Sequence, residues 1–200
     1  MPAYLVATMD VHDTEGYKEY QAQVPAFIEK HGGRFIVRGG ERTALEGAWP
    51  AGRTVVIEFP DYDAAKALIA DPGYAPVAAI RHRTATSYAF IAEGLPDAQP
   101  GQDFGGYLLA SISIEDPETY KGYAAQVPAV MAQYEGTFLT RGGQSEGIEG
   151  TTDPGRVVLV GFADVDAVKS FHGSPEYAGP AAIRRSASKG NVVALEAFRG

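Results

Sequence analysis

The chain has 200 residues, no cysteine and a formal net charge of −8 at neutral pH. This excludes disulfides, thiolate catalysis and thiolate-ligated metals, and it disfavours contact with nucleic-acid phosphates. No apolar stretch approaches the ~20 residues of a membrane helix and no basic region precedes the first apolar run, so a cytoplasmic location without a membrane partner is expected.

The sequence repeats itself. A shift of 103 positions lays Ala3–Glu93 on Gly106–Glu196 without a gap, with Tyr4 on Tyr107, Val24-Pro25 on Val127-Pro128 and Arg38-Gly39-Gly40 on Arg141-Gly142-Gly143. Such a period exceeds the 20–50 residues of solenoid repeats and has the size of a small domain. Two domains follow, over 1–94 and 106–200, joined by a linker at 95–105.

Within each copy, Tyr4 to Val11 alternates as a strand. Leu5, Ala7, Met9 and Val11 form an apolar face for helices; Tyr4, Val6, Thr8 and Asp10 form a mixed face. Asp13 and Asp116 are N-cap candidates for a helix carrying Tyr17, Tyr20, Val24, Ile28 and His31 at helical spacing. Pro25 and Pro128 should kink or split that helix; Gly32-Gly33 and Gly136 should end it. Strands follow at Arg34 to Arg38 and Arg53 to Phe59, with a bend or bulge at Gly39-Gly40. Asp61 and Asp164 cap a second helix, which Asp71-Pro72 and Ser174-Pro175 break. A short third helix runs to about His82, and a last strand spans Thr86 to Glu93. The Arg81-His82-Arg83 cluster and its counterpart Arg184-Arg185 read as solvated helix termini.

The order β-α-β-β-α-β is the ferredoxin-like arrangement, an α+β fold in which helices cover one face of a four-stranded antiparallel sheet. The open sheet faces of the two copies should pack together as an intramolecular pseudo-dimer, with further homo-oligomerisation left open.

The residues also resemble a known family. The run Gly-Gly-Arg-Phe-Ile-Val-Arg-Gly-Gly, then Leu-Glu-Gly-Ala-Trp-Pro, Val-Val-Ile-Glu-Phe-Pro and Asp-Pro-Gly-Tyr is similar to family 1330 of the domain-of-unknown-function series, in the dimeric α+β barrel superfamily. The resemblance covers both copies and implies a barrel made of two sheets. The superfamily includes cofactor-free monooxygenases, polyketide cyclases, lactone isomerases and haem enzymes. The second copy departs at Thr152, where the first has Trp49, and at Gly161, where the first has Glu58.

Candidate site residues follow from chemistry. By strand parity Arg38 and Arg141 should face into the barrel, each needing a partner. Glu58 is the candidate partner of Arg38 and a candidate catalytic carboxylate. Arg141, lacking that partner, would bind an anionic or carbonyl ligand, unless Glu146 or Glu149 substitutes or the side chain snorkels to the barrel rim. Tyr17, with Tyr20, Tyr120 and Tyr123, could offer hydroxyls to a cavity between helix and sheet, as acid or donor, although duplicated aromatics also serve as core. His31, whose counterpart is Tyr134, is a candidate acid/base or a favourable helix terminus. Trp49 could cap a cavity or anchor its loop. No histidine pair has metal-ligand spacing, so neither a metal nor a bound cofactor is expected.

These residues suggest a small-molecule enzyme or binder whose pocket is lined by one copy. Acid/base cyclisation or isomerisation of an apolar or aromatic carbonyl compound leads. Cofactor-free oxygenation of a phenol and a non-catalytic barrel are the alternatives.

Overall fold

A computed structural model describes residues 1–150 and 153–200. The first half runs β1 (Ala3–Val11), α1 (Thr14–Lys30), β2 (Arg34–Arg38), β3 (Arg42–Glu46), β4 (Arg53–Phe59), α2 (Tyr62–Ala70), α3 (Ala75–Thr84) and β5 (Ala85–Glu93). The second half repeats it as β6 (Gly106–Ile114), α4 (Pro117–Gln133), β7 (Thr137–Arg141), β8 (Ser145–Glu149), β9 (Arg156–Phe162), α5 (Val165–His172), α6 (Pro175–Ala187) and β10 (Ser188–Glu196). Thr152, where the second copy departs from Trp49, lies outside the described residues.

Aspartates start the first two helices of each half. The carboxylates of Asp13, Asp61, Asp116 and Asp164 accept backbone N–H bonds from the first turn, satisfying donors that a helix leaves unpaired. Of the kink or split expected at the prolines, the split does not occur: α1 and α4 are each one helix with its proline, Pro25 or Pro128, inside.

Each sheet has five strands, not four. The orders are β2-β4-β1-β5-β8 and β3-β10-β6-β9-β7, all antiparallel. The extra strand is exchanged: β8 of the second half pairs with β5 of the first, and β3 of the first pairs with β10 of the second. The two ferredoxin-like units thus close into a dimeric α+β barrel within one chain.

The inner faces of the sheets share one core of 14 buried residues, seven from each half, including Tyr4, Val6, Phe90, Leu109, Leu159 and Leu195. Burying one such large apolar side chain is worth about 1.5–3 kcal/mol, which outweighs the small entropic cost of closing the linker. The outer faces carry separate helix–sheet cores, with Leu5, Ala7 and Met9 under the first set of helices and Leu108, Ala110 and Ile112 under the second.

One irregularity redirects two key side chains. In β2, Phe35 pairs with Ile57 and Val37 with Val56, so the register shifts at Ile36; β7 does the same at Leu139. Ile36 and Val37 both enter the barrel core. Side-chain parity inverts beyond the bulge, and Arg38 emerges on the helix side beside Phe35 rather than inside the barrel. Arg141 likewise lies over Phe138. The inward placement expected from simple alternation is therefore corrected.

The linker plugs one end of the barrel. Arg34 Nε donates to Glu58 at 2.6 Å, and its other nitrogens reach the Gln102 carbonyl and Asp103. Glu58 also accepts from Tyr4 and from the Gly101 amide. In the second half the positions of Arg34 and Glu58 hold Thr137 and Gly161. The Phe104 ring fills the space over Gly161, where a Cβ would lie 2.4 Å from it, and stacks edge-on against Tyr107.

Candidate functional site

Each half encloses a cavity between its helices and its sheet. In the first, Leu5, Ala7, Met9, Val55 and Ile57 form the floor and α1 contributes Tyr17, Tyr20 and Val24. Centres of water-sized spheres fill about 50 Å³ of it, space for a few waters. In the second half the same measure gives about 30 Å³. Leu68 and Ala89 of the first cavity are replaced by Phe171 and Val192, so the second copy fills its own space.

The first cavity takes its wall from both copies. Ile148 and Glu149, on the exchanged β8, line it together with first-half residues; the expectation of a pocket lined by one copy is corrected. Arg81 Nη1 and Nη2 contact the two Glu149 oxygens at 2.5 and 2.6 Å, and Ser87 Oγ accepts from Arg81 at 2.8 Å. His82 Nε2 lies 2.7 Å from the same carboxylate. Arg81 is thus not a solvated terminus: it is 5% exposed. In the second half Arg184 meets Glu46 of the exchanged β3 at 2.6 Å, with His172 and Arg185 on the same carboxylate.

The phenols are held protonated. Burial pushes the Tyr20 hydroxyl well above its ordinary range and Tyr74 beside it adds to the rise; their oxygens are 3.5 Å apart. Burial also raises Tyr17, against the pull of Arg53 and Arg81, and Tyr17 donates to Met9 Sδ at 3.0 Å. Tyr120 and Tyr123 line the second cavity in the same positions, raised by burial likewise. At Glu149 burial works upward, but Arg81 and then His82 outweigh it and hold the carboxyl below its usual range.

Arg38 and Arg53 complete the first cavity. Arg53 donates to the Arg38 carbonyl. The Arg38 guanidinium lies 4.6 Å from the Phe35 ring centre and 5.5 Å from that of Phe198. Among the described residues it has no carboxylate partner, so the expected pairing with Glu58 does not form; the bulge has put them on opposite sheet faces. Arg141 donates to the Ala124 carbonyl at 2.5 Å and does not line the second cavity. Glu146 binds Lys66 rather than Arg141.

Three other candidates lie away from the cavity. Glu58 sits at the plugged barrel end. His31 caps the end of α1, with Nε2 2.9 Å from Asp71; Lys30, His31 and the Gly73 amide hold that carboxyl well below its usual range. Trp49 packs against the barrel core and donates to Thr8 Oγ1 at 3.2 Å. Sequence chemistry reads Arg81 as a solvated terminus and Glu149 as an alternative partner of Arg141, and it does not raise Arg53; Glu149 instead pairs with Arg81, and the identity of Arg53, Arg81 and Glu149 with Arg156, Arg184 and Glu46 is a usable signal. Among the described residues no group of three or more His, Asp or Glu is placed to hold a metal ion, and no helix is long and apolar enough to cross a membrane.

Solved structures share the architecture. A protein named provisionally as a monooxygenase from Fusobacterium nucleatum aligns with TM-score 0.58 at 12% identity, over 99% of this chain and 93% of that one. A protein named provisionally as a chlorite dismutase gives 0.61 at 10% identity, over 99% and 95%. A heme-binding protein from Thermus thermophilus gives 0.56 at 10% identity, over 99% and 91%. At such identities the likeness is one of fold. No curated protein is similar enough in sequence to count as a relative. The profile of the Domain of unknown function (DUF1330) matches residues 2–95 and again 105–198, and the chain belongs to that family, carrying its domain twice.

Proposed function

We propose that the first-half cavity binds a small, largely apolar compound bearing a carboxylate or carbonyl oxygen. The observation that carries this reading is Arg38: a guanidinium on the wall of an apolar cavity, steadied by two aromatic faces and lacking a carboxylate partner. A ligand oxygen would supply the bidentate acceptor that guanidinium favours. The Tyr17 and Tyr20 phenols, kept protonated by burial, add donors, and the Tyr74 hydroxyl lies beside Tyr20. Isomerisation or cyclisation fits this set, with a phenol supplying a proton and Arg38 stabilising the developing oxyanion.

A second reading, binding without turnover, is favoured by one feature. Among the described lining residues Glu149 is the one carboxylate and there is no imidazole, and Glu149 is neutralised by Arg81. A haem does not fit the site: among the described lining residues there is no histidine, the chain has no cysteine, the Met9 sulfur already accepts from Tyr17, burial disfavours the phenolates of Tyr17 and Tyr20 that ligation would need, and the space holds only a few waters.

Thermal denaturation with cinnamate and with cinnamamide tests the proposal. Ligand at 100 Kd adds about 2.7 kcal/mol, on the order of 5–10 °C for a chain of this size. Cinnamate should give that rise in the wild type and little in Arg38→Gln. No rise with either probe contradicts the reading.

A further inference from the structure

The barrel is plugged at one end and open at the other. Towards the open end the paired residues Thr8 and Tyr88 of β1 and β5, and Ser111 and Asn191 of β6 and β10, border a cavity between the two sheets. Its volume is about 320 Å³, several times that of either helix–sheet cavity by the same measure.

The lining of this mouth is polarised between the two copies. The first half presents Trp49, Tyr88 and Phe90; the second presents Ser111, Asp153 and Asn191. Under the repeat, Thr8 corresponds to Ser111, Tyr88 to Asn191, Phe90 to Val193 and Pro50 to Asp153. The helix–sheet cavities differ in this respect, since Tyr17, Tyr20, Tyr74 and Arg81 each have an identical counterpart. An aromatic wall facing a polar one suits a single ligand with an apolar body and one polar end.

The polar groups define the sign of that end. Trp49 Nε1 is used by Thr8, the Ser111 hydroxyl donates to the Pro154 carbonyl at 2.5 Å, and Asn191 Oδ1 accepts the Ala48 amide at 2.8 Å. Asp153 is the one charged residue among the described lining. One of its oxygens takes the Gly155 amide at 2.7 Å, and the carboxylate remains exposed. Neighbouring Lys189 is paired with Glu115 at 2.6 Å. Aromatic faces and a carboxylate are the two groups that attract an organic ammonium, and the net charge of −8 raises the local concentration of cations.

We propose that the barrel mouth is a second ligand site, for a small organic cation whose ammonium group sits between the Asp153 carboxylate and the rings of Trp49 and Tyr88. The site shares no lining residue with the first-half cavity and does not depend on its function.

Trp49 is the only tryptophan, so its indole N–H gives a single resonance at the site. Choline should shift that resonance saturably. Its neutral isostere 3,3-dimethylbutan-1-ol should bind about fivefold more weakly or not at all, and Asp153→Asn and Tyr88→Ala should each weaken choline about fivefold. Both positions are exposed, and circular dichroism verifies that the variants fold. Cinnamate should not compete. The absence of a saturable shift, equal binding of the neutral isostere, an unchanged affinity in Asp153→Asn, or competition by cinnamate would each overturn the proposal.

Discussion

Arg81 and Glu149 belong to different copies of the repeat, yet they form a two-pronged ion pair with contacts of 2.5 and 2.6 Å. Arg184 and Glu46 form its reciprocal. Each exchanged strand therefore ends in a carboxylate that pins it beneath the other half's helices. Glu149→Ala leaves Arg81 buried without a counter-ion, and such loss costs about 3–5 kcal/mol. Urea unfolding should show that loss; a change under about 1 kcal/mol would mean the pair is not holding the strand.

Acid should release the same pins. At Glu46 burial pushes the carboxyl up, but His172, Arg185 and Arg184 outweigh it and hold it far below its usual range; Glu149 is lowered in the same sense. Carboxyls lowered in the folded state contribute stability that is present above their unfolded pKa, about 4.3, and is lost as pH falls through the folded values. Melting temperature should therefore be steady from pH 7 to about 5 and fall progressively below that. A flat profile to pH 3 would contradict this role.

Alkali probes the phenols. Tyr17, Tyr20, Tyr120 and Tyr123 are all raised by burial, and Tyr107 is pushed up to about 12. A raised phenol favours folding below its unfolded pKa, about 10, and that contribution is lost as pH rises through the folded value. Absorbance titration at about pH 10.5 should find well under half of the 11 tyrosines ionised while the fold persists, and more than half after urea. Equal ionisation in both states would contradict it.

The plugged end makes a packing prediction. A Cβ at Gly161 would lie 2.4 Å from the Phe104 ring, so Gly161→Ala should destabilise by about 1–3 kcal/mol, the usual cost of overpacking. Phe104→Ala removes the obstacle, and the double variant should show a coupling of at least about 0.5 kcal/mol. Strict additivity would place Phe104 elsewhere.

The aspartate caps, the two helix–sheet cores and the pairing of two ferredoxin-like units were legible because each rests on local pattern repeated twice. Simple alternation misplaces Arg38 because one extra residue, Ile36, inverts parity, and alternation cannot show where a bulge falls when Ile36 and Val37 are both apolar. The exchanged strands are not legible in the sequence because Thr43-Ala44-Leu45 and Glu146-Gly147-Ile148 are short and weakly patterned; long-range pairing forms them. Glu58 differs between copies for a structural reason: with Arg34 it holds the linker, while Phe104 does so over Gly161. Difference between copies was thus a poor guide to Glu58, and retained polar identity (Arg81 with Arg184, Glu149 with Glu46) was the better guide to the cavity wall.

The central claim is that the space under the first-half helices is a ligand cavity that the second half has filled. Leu68→Phe with Ala89→Val installs the second copy's own residues, Phe171 and Val192, in the first. Calorimetric titration of this double variant with cinnamate is the most direct test, with circular dichroism confirming the fold. Binding present in the wild type should be abolished; an unchanged affinity would show that the ligand does not occupy this cavity.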